Sequence, residues 1–430
     1  FRRVLFRSGW EVLVPLLGMC ALFALAVPIW VSLGFAAVGL LFFTDVLPLS
    51  LFGEALFHGI DAFALIAIPL FILTGDVLVR SGLSNKLLDI AEATMGSLRS
   101  GLGTSTVLGC GFFSCISGSD AAGAAAVGRI TYQRLVDRGY PRAYACALVA
   151  SGSCTGILIP PSIAYIIIGL ILGISASTLF LAAAVPGVMV MFSIMIANVV
   201  VNRIKGYENS RTSFKLDVWL KTVWDGKFAL MIPFIILGGI YSGIFTPTEA
   251  AAVAVVTTII IGFMQGTLTI ADFPKMLGAS AKVNGVIVPI IAFALPLAQT
   301  MAALDIPQAF VAAIMSATEN PIVIKILMIG IFMLAGCVME TTPNIVILSP
   351  IMLPLGQEIG MDEIHFCILM ITSLGVGFIT PPLGLNLFVL SGLTGESVLK
   401  IAVHAVPFVL SMLSVVFMLA FIPALSLWAM

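Results

Sequence analysis

Residues 114–161 read SCISGSDAAGAAAVGRITYQRLVDRGYPRAYACALVASGSCTGILIPP, and residues 335–382 read AGCVMETTPNIVILSPIMLPLGQEIGMDEIHFCILMITSLGVGFITPP, so one pattern occurs twice at an offset of 221 (335 − 114). At that offset Gly139 aligns with Gly360, Cys146 with Cys367, Gly156 with Gly377, and Pro160-Pro161 with Pro381-Pro382. Further on, Pro186 meets Pro407. Only seven of the 48 aligned pairs are identical, so the shared order of features carries the comparison. Each copy has a small or polar interruption in apolar sequence, then a polar loop, then an apolar helix broken by Gly and Pro-Pro. Paired, interrupted hydrophobic segments in two halves of a chain point to the binding site of a secondary transporter.

Working outward, the composition leaves one class open. The 430 residues are 60% hydrophobic and 10% charged, with a mean hydropathy of +1.17; soluble domains run about 45–50% apolar and about 25% charged. Continuous apolar runs approach the roughly 20 residues a bilayer demands, where a β-barrel would show short alternating segments. The expected class is an all-α polytopic membrane protein. The net charge of −1 selects no partner, and nothing indicates nucleic acid. Seven cysteines, Cys20, Cys110, Cys115, Cys146, Cys154, Cys337 and Cys367, lie in apolar sequence without CxxC spacing and read as buried small hydrophobes.

Charge sets the relative orientation of the halves. The loop of the first copy carries Arg129, Arg134, Arg138 and Arg142, whereas its counterpart carries Glu358, Asp362 and Glu363. The positive-inside rule puts the first loop in the cytoplasm and the second on the opposite face, which makes the repeat an inverted one. Residues 11–202 form the first repeat and 228–430 the second. Between them lies a charged cytoplasmic linker, 203–227, with Arg203, Lys205, Glu208, Arg211 and Lys215 among its residues. Because 80–99 and 129–142 are both basic and both inside, 101–133 must enter and return as a re-entrant hairpin; 320–356 mirrors it from outside. Broken helices follow at 142–173 and 363–393, and 84–99 and 305–318 read as short interfacial amphipathic helices. Residues 1–10 (with Arg2, Arg3 and Arg7) read as a leader, foreign or joined to an upstream segment. Traced backwards, the path puts them outside, so otherwise one helix is missing from the count.

Non-helical backbone survives at membrane depth only where protein or a water-filled cavity covers it. Pro160-Pro161 and Pro381-Pro382 remove N–H donors and free carbonyls, while Gly156 and Gly377 permit unwound geometry. Freed carbonyls and hydroxyls suit Na+, and half-helix N-termini suit an anion. The predicted ion ligands are Ser117, Gly118, Ser119, Asp120, Thr155 and Gly156 in one half, and Thr341, Thr342, Asn344, Gly377 and Thr380 in the other. Two symmetric sites, each joining one hairpin tip to one broken helix, are expected. Substrate candidates are Ser119, Pro161, Ser162, Thr342, Pro382 and Asn386. Taken singly, each hydroxyl is more readily explained by bonding to its own helix backbone or by gluing helices together. Asp76, four residues before Arg80, reads as a local ion pair, whereas Asp120, Glu249 and Glu340 are costlier at depth.

The motifs IPLFILTGDVLVRSGLSNKLLD (68–89), ISGSDAAGAAAVG (116–128), GILIPPSIAYIIIG (156–169), GGIYSGIFTPTEAAAVAVV (238–256) and GVGFITPPLGLNLFVLSGLTG (375–395) carry a resemblance over nearly the whole chain from about residue 11. The chain resembles the large membrane (M) subunit of tripartite ATP-independent periplasmic, or TRAP, transporters. That resemblance implies Na+-coupled import of an organic acid, such as a C4-dicarboxylate or sialic acid, across the bacterial inner membrane by an elevator-type movement. It implies no cofactor beyond the coupling ion. It also implies a small membrane subunit of Q type, separate or fused upstream, and a periplasmic solute-binding protein. The resemblance places Na+ and substrate around Ser117, Ser119, Ser162 and Thr341 to Asn344, and maps a TPTEA glutamate onto Glu249. One departure stands out: where the family often has an acid four positions after the second Ser of SGS, this chain has Gly123, and its acid is Asp120. Two other classes remain in view. A proton-coupled antiporter of a related inverted-repeat class would use Asp120 or Glu340. An intramembrane enzyme would use Ser119, although no His lies in a hairpin or broken helix.

Overall fold

The computed structural model describes residues 9–208 and 214–430. Within a bilayer the backbone must bond to itself, which leaves helices or closed barrels; among the described residues there are helices and no strand. Among the described residues seven helical segments are long and apolar enough to cross a membrane, and a further pair, bent by 69°, qualifies jointly.

The first half begins with α1 (Gly9–Ala24), α2 (Ile29–Thr44) and α3 (Leu49–Ile60); a 3-10 turn, Phe63–Ile66, then leads into α4 (Ala67–Arg80). α5 (Leu83–Met95) precedes the first hairpin, α6 (Gly101–Ser117) and α7 (Asp120–Asp137). The broken segment comprises α8 (Arg142–Ser153), one turn α9 (Thr155–Leu158) and α10 (Ile163–Leu172); α11 (Ala176–Lys205) closes the half. After α12 (Leu216–Asp225) come α13 (Lys227–Tyr241), α14 (Pro247–Met264), α15 (Phe273–Ala303) and α16 (Ile306–Ala317). The second hairpin is α17 (Pro321–Val338) and α18 (Thr341–Glu358), followed by α19 (Glu363–Gly377), α20 (Leu385–Thr394) and α21 (Val398–Phe421).

Both hairpins and both broken segments therefore form where the interruptions in sequence stand. Shifting α7 by 221 gives 341–358, the bounds of α18. The first broken segment is innermost: 83% of its apolar window is buried, against 33–56% for the other six spans. A helix hydrophobic all round belongs in such a place. In each half the first hairpin helix packs on the first broken-helix half, α6 on α8 and α17 on α19. Across the halves, α10 packs on α18 and α20 on α7. Asp76 and Arg80 form the expected pair, at 2.8 Å; all seven cysteines are free, but against the expectation of uniform burial Cys20 is exposed and Cys115 half-buried.

Between α2 and α4 lies α3; shifted by 221 it falls at 270–281, so α3 and α4 together correspond to the single helix α15. Gly9 and Trp10 belong to α1; residues 1–8, with Arg2, Arg3 and Arg7, and likewise Arg211 in the linker, lie outside the described residues. The linker is not exposed throughout. It contains α12, and Glu208 is 1% exposed. The Glu208 carboxylate accepts the Leu102 N–H at 3.2 Å and the Tyr140 hydroxyl at 2.9 Å, with the Arg138 guanidinium 3.7 Å away.

Candidate functional site

Each hairpin tip is docked on the break of its own half. At the first, the Ile163 N–H opening α10 donates to the Gly118 carbonyl at 3.2 Å. Gly118 turns the chain with φ +61°, and a Cβ there would lie 2.9 Å from the Pro161 carbonyl oxygen. A Cβ on Gly156 would lie 2.6 Å from the Asp120 nitrogen and the Ser119 carbonyl carbon. At the second, the Leu383 and Gly384 N–H groups donate to the Cys337 carbonyl at 2.9 and 3.3 Å, and a Cβ on Gly377 would lie 2.7 Å from Gly336.

The two tips meet at one cavity of about 60 Å3, lined by Gly118, Ser119 and Asp120 of the first, Glu340, Thr341 and Thr342 of the second, and apolar residues including Ile157 and Ile163. No Lys, Arg or His lines it. Glu340, absent from the predicted ligands, is thereby added to the site; its place at the mirrored tip was the signal that could have identified it. The remaining candidates surround the tips without lining the cavity. The symmetry is also unequal, because Pro160 and Pro161 are buried whereas Pro381 and Pro382 are exposed.

Most of the candidate hydroxyls also hold the local fold. Ser119 caps α7 by accepting the Ala122 N–H at 3.4 Å. Ser162 donates to the Ile157 carbonyl at 2.9 Å and accepts the Ala164 N–H at 3.2 Å, capping α10. Thr155 bonds the Gly152 carbonyl at 2.7 Å and meets the Ser114 hydroxyl at 2.8 Å, and Thr380 bonds the Val376 carbonyl at 2.8 Å. Ser117 makes only long contacts, at 3.5 Å, with the Ser119 backbone. The Asn344 amide ties the second tip shut through the Ala335 and Met339 carbonyls, at 3.1 and 3.0 Å. Its Oδ1, like Oδ2 of Asp120 and Oδ1 of Asn386, is buried without a partner.

This donor set is carbonyl, hydroxyl, carboxamide and carboxylate oxygen, which fits a hard cation such as Na+ rather than a thiolate- or imidazole-seeking metal. Among the described residues no group of three or more His, Cys, Asp or Glu could hold a metal ion.

Glu249 is elsewhere. It completes a capping box at the start of α14, accepting the Thr246 N–H at 2.8 Å and the Thr246 hydroxyl at 2.9 Å, and it is not among the cavity-lining residues. Glu249→Gln keeps the acceptor a capping box needs. That variant is expected to leave the unfolding temperature within about 1 °C of the wild type, whereas Glu249→Ala, which removes the acceptor, lowers it.

Solved structures are similar to this helical fold. The YdaH transporter of Alcanivorax borkumensis aligns with a TM-score of 0.59 at 13% identity, over 85% of this chain and 86% of that one. MtrF of Neisseria gonorrhoeae, from a class of antimetabolite efflux pumps, aligns with a TM-score of 0.59 at 13% identity, over 86% of this chain and 83% of that one. These likenesses establish the fold. The family follows from sequence: the profile of the tripartite ATP-independent periplasmic transporter DctM component matches residues 16–425, and the chain belongs to that family. The C4-dicarboxylate TRAP transporter large permease protein of Pseudomonas aeruginosa is 36% identical over 86% of this chain and 87% of its own length. The isethionate TRAP transporter permease protein DctMQ of Oleidesulfovibrio alaskensis is 34% identical over 97% of this chain, which spans 66% of that longer relative.

Proposed function

We propose that this protein is the permease subunit of a Na+-driven importer of an organic acid. The observation that carries the reading is the meeting of Ser119 and Asp120 with Thr341 and Thr342 at one cavity whose surroundings offer hard oxygen ligands and no basic side chain. Relatives named for C4-dicarboxylate, isethionate and sialic acid transport support an anionic substrate. In the absence of a lining cation, an anion at the tips is stabilised by the N-termini of α7, α10 and α18 and by Na+ bound beside them. Ion and anion then neutralise each other's charge, which is the physical basis of coupling.

On this reading the two halves are inverted repeats in a bacterial inner membrane. The docked hairpins and broken helices move as a body against α1 to α4 and α13 to α15, in an elevator-type step. A periplasmic binding protein and a small membrane subunit complete the system; the relative named DctMQ supports such a companion, fused in that case. The test is uptake into proteoliposomes, reconstituted with both companions, under separately imposed gradients. Uptake is expected to follow the Na+ gradient. Uptake that ignores Na+ but follows ΔpH would replace the reading by a proton-coupled one using Asp120 or Glu340. Ser119→Ala and Thr342→Ala are each expected to raise the half-saturating Na+ concentration by about three- to tenfold, a loss of one ligand worth about 1 kcal/mol. If both leave that curve unmoved, the two-tip ion assignment is wrong.

A further inference from the structure

A second cavity, of about 330 Å3, shares no residue with the one at the hairpin tips. Five helices line it, through Met19 of α1, Met301 of α15, Phe310 of α16, Ile331 of α17 and Met352 of α18. Of its twelve lining residues only Cys20 carries a polar hydrogen, on a thiol. α15 and α16 pack directly on α18, whereas α1, which packs on α2, meets α17 and α18 across this space.

Such a lining excludes most occupants. A buried water needs two to four polar partners, and an apolar cavity of about 150 Å3 already stays dry and takes up an apolar guest instead. No carboxylate, amide or hydroxyl lines the space, so an organic acid or a metal ion has nothing to bind there. Three of the lining side chains are Met, whose flexible thioether adapts to an irregular guest. The cavity is continuous with the outward-facing apolar surface. Cys20 at its edge is exposed, as are Leu13 and Leu17 on the same face of α1, and Leu327 and Leu334 flanking Ile331 on α17. In a bilayer the apolar molecule in bulk on that surface is the phospholipid acyl chain. We infer that one acyl chain of a membrane phospholipid lodges in this cavity, between α1 and the second hairpin.

The mirror position could not take one. At the offset of 221, Leu297, Met301 and Phe310 of the lining correspond to Asp76, Arg80 and Asp89. Those three are ion-paired, Arg80 with Asp76 at 2.8 Å and Arg134 with Asp89 at 3.9 Å. The counterpart of α16 is α5, which packs on α6 and buries Leu87, Leu88 and Ile90 among others, whereas α16 buries only Pro307 and Val311. The looser seat of α16 leaves the space open. Its charges also select the headgroup. Asp305, next to the lining Ile306, is exposed and does not cap α16 with its side chain. No Lys or Arg occurs from 283 to 324, and Lys325 donates to the Ala420 carbonyl at 3.0 Å. A headgroup at that end meets an acid without a competing base, which suits the ammonium of phosphatidylethanolamine better than the bare negative charge of phosphatidylglycerol. In the movement proposed above α18 slides past α1 and α15, which places the chain on the sliding surface; its binding depends neither on that movement nor on Na+.

The test maps the chain directly. The full protein, alone and with the small membrane companion proposed above, is placed in nanodiscs whose phosphatidylethanolamine carries a photoactivatable diazirine in one acyl chain. After irradiation the adducts are located by peptide mass spectrometry. They are expected on Met301 and Met352, which are 6% and 1% exposed and so out of reach of lipid that merely surrounds the protein. Leu348→Phe and Ile351→Phe fill the space and are each expected to lose these adducts while keeping those on the exposed Leu17 and Leu334. The wild-type map needs no variant, so the test stands if a variant fails to fold. Adducts confined to exposed residues overturn the inference. So does loss of Met352 labelling when the small companion is present, which would assign the cavity to that subunit. Phosphatidylethanolamine is expected to label Met301 and Met352 about threefold more than phosphatidylglycerol carrying the same diazirine, the scale of one exposed ion contact, and Asp305→Lys to reverse the order. Equal labelling of the wild type by both overturns the headgroup assignment. Uptake indifferent to Na+ would leave the adducts in place, and their absence would leave the Na+-coupled reading standing.

Discussion

Gly156→Ala is expected, on the Na+-coupled reading proposed above, to cut uptake about tenfold or more while the protein still inserts and folds. The argument is steric and local. The added Cβ falls 2.6 Å from the Asp120 nitrogen and the Ser119 carbonyl carbon and 2.7 Å from the Ser119 oxygen. These are backbone atoms of the hairpin tip, so no side-chain rotation relieves the contact. The tip must lift away from the break, at the cost of about 1–3 kcal/mol typical of overpacking. Each 1.4 kcal/mol by which the ligand-competent arrangement is displaced weakens binding about tenfold. Gly123→Ala, in the same hairpin, is the control, because its Cβ would meet Ser153 and Phe113 at ordinary distances of 3.7 and 3.8 Å. It should leave uptake unchanged. Equal uptake by the Gly156→Ala and wild-type proteins, measured at matched amounts in proteoliposomes, would show that the close docking of tip on break does not matter to the ion site.

The same comparison explains which parts of the molecule the sequence discloses. The tips and breaks were legible because a bilayer forbids unpartnered backbone, so Gly118, Pro160-Pro161 and Pro381-Pro382 stand out against apolar sequence. The hairpin ends and broken helices appear where those interruptions lie. The candidate site was legible as a set of loci but not as an arrangement. Periodicity cannot tell that the two tips share a cavity or that Asn386 reaches into the other half. Those facts depend on packing between segments more than 200 residues apart in sequence; the capping box at Glu249 is local, a Thr246-to-Glu249 pattern that the sequence itself displays. Helix α3 is faint in the sequence for a different reason. Its apolar residues are interleaved with His58, Gly53 and Gly59, and its stability comes from packing against α15, which composition does not reveal.

Glu208 shows the limit most sharply, and it carries the other large prediction. In the sequence it is one of many charges in a polar linker; in the fold it is the most deeply buried acid outside the cavity region, at 1% exposure. Ser100 precedes α6 with φ +102° and gives that helix no side-chain cap. Glu208 supplies one from 106 residues away, both carboxylate oxygens accepting the Leu102 N–H at 3.2 and 3.3 Å. Negative charge at a helix N-terminus is stabilised further by the helix dipole. Asn202 at the end of α11 grips the Glu208 backbone from both sides, at 2.9 and 3.2 Å, and Tyr140 and Arg138 approach from the loop after α7. The base of the first hairpin, the end of α11 and the α7–α8 loop are thus held by one carboxylate. Glu208→Ala leaves the Tyr140 hydroxyl and the Leu102 N–H buried without this partner and is expected to cost about 3 kcal/mol, read as a lowered unfolding temperature in lipid nanodiscs. Glu208→Gln keeps an acceptor and loses the charge-assisted part, so it should recover at least half of that loss. The affinity for Na+ should be nearly intact in the folded fraction, because the network lies at the foot of α6 and the cavity at its tip. A large loss of Na+ affinity with unchanged stability would instead mean that the base of the hairpin and the ion site are mechanically coupled.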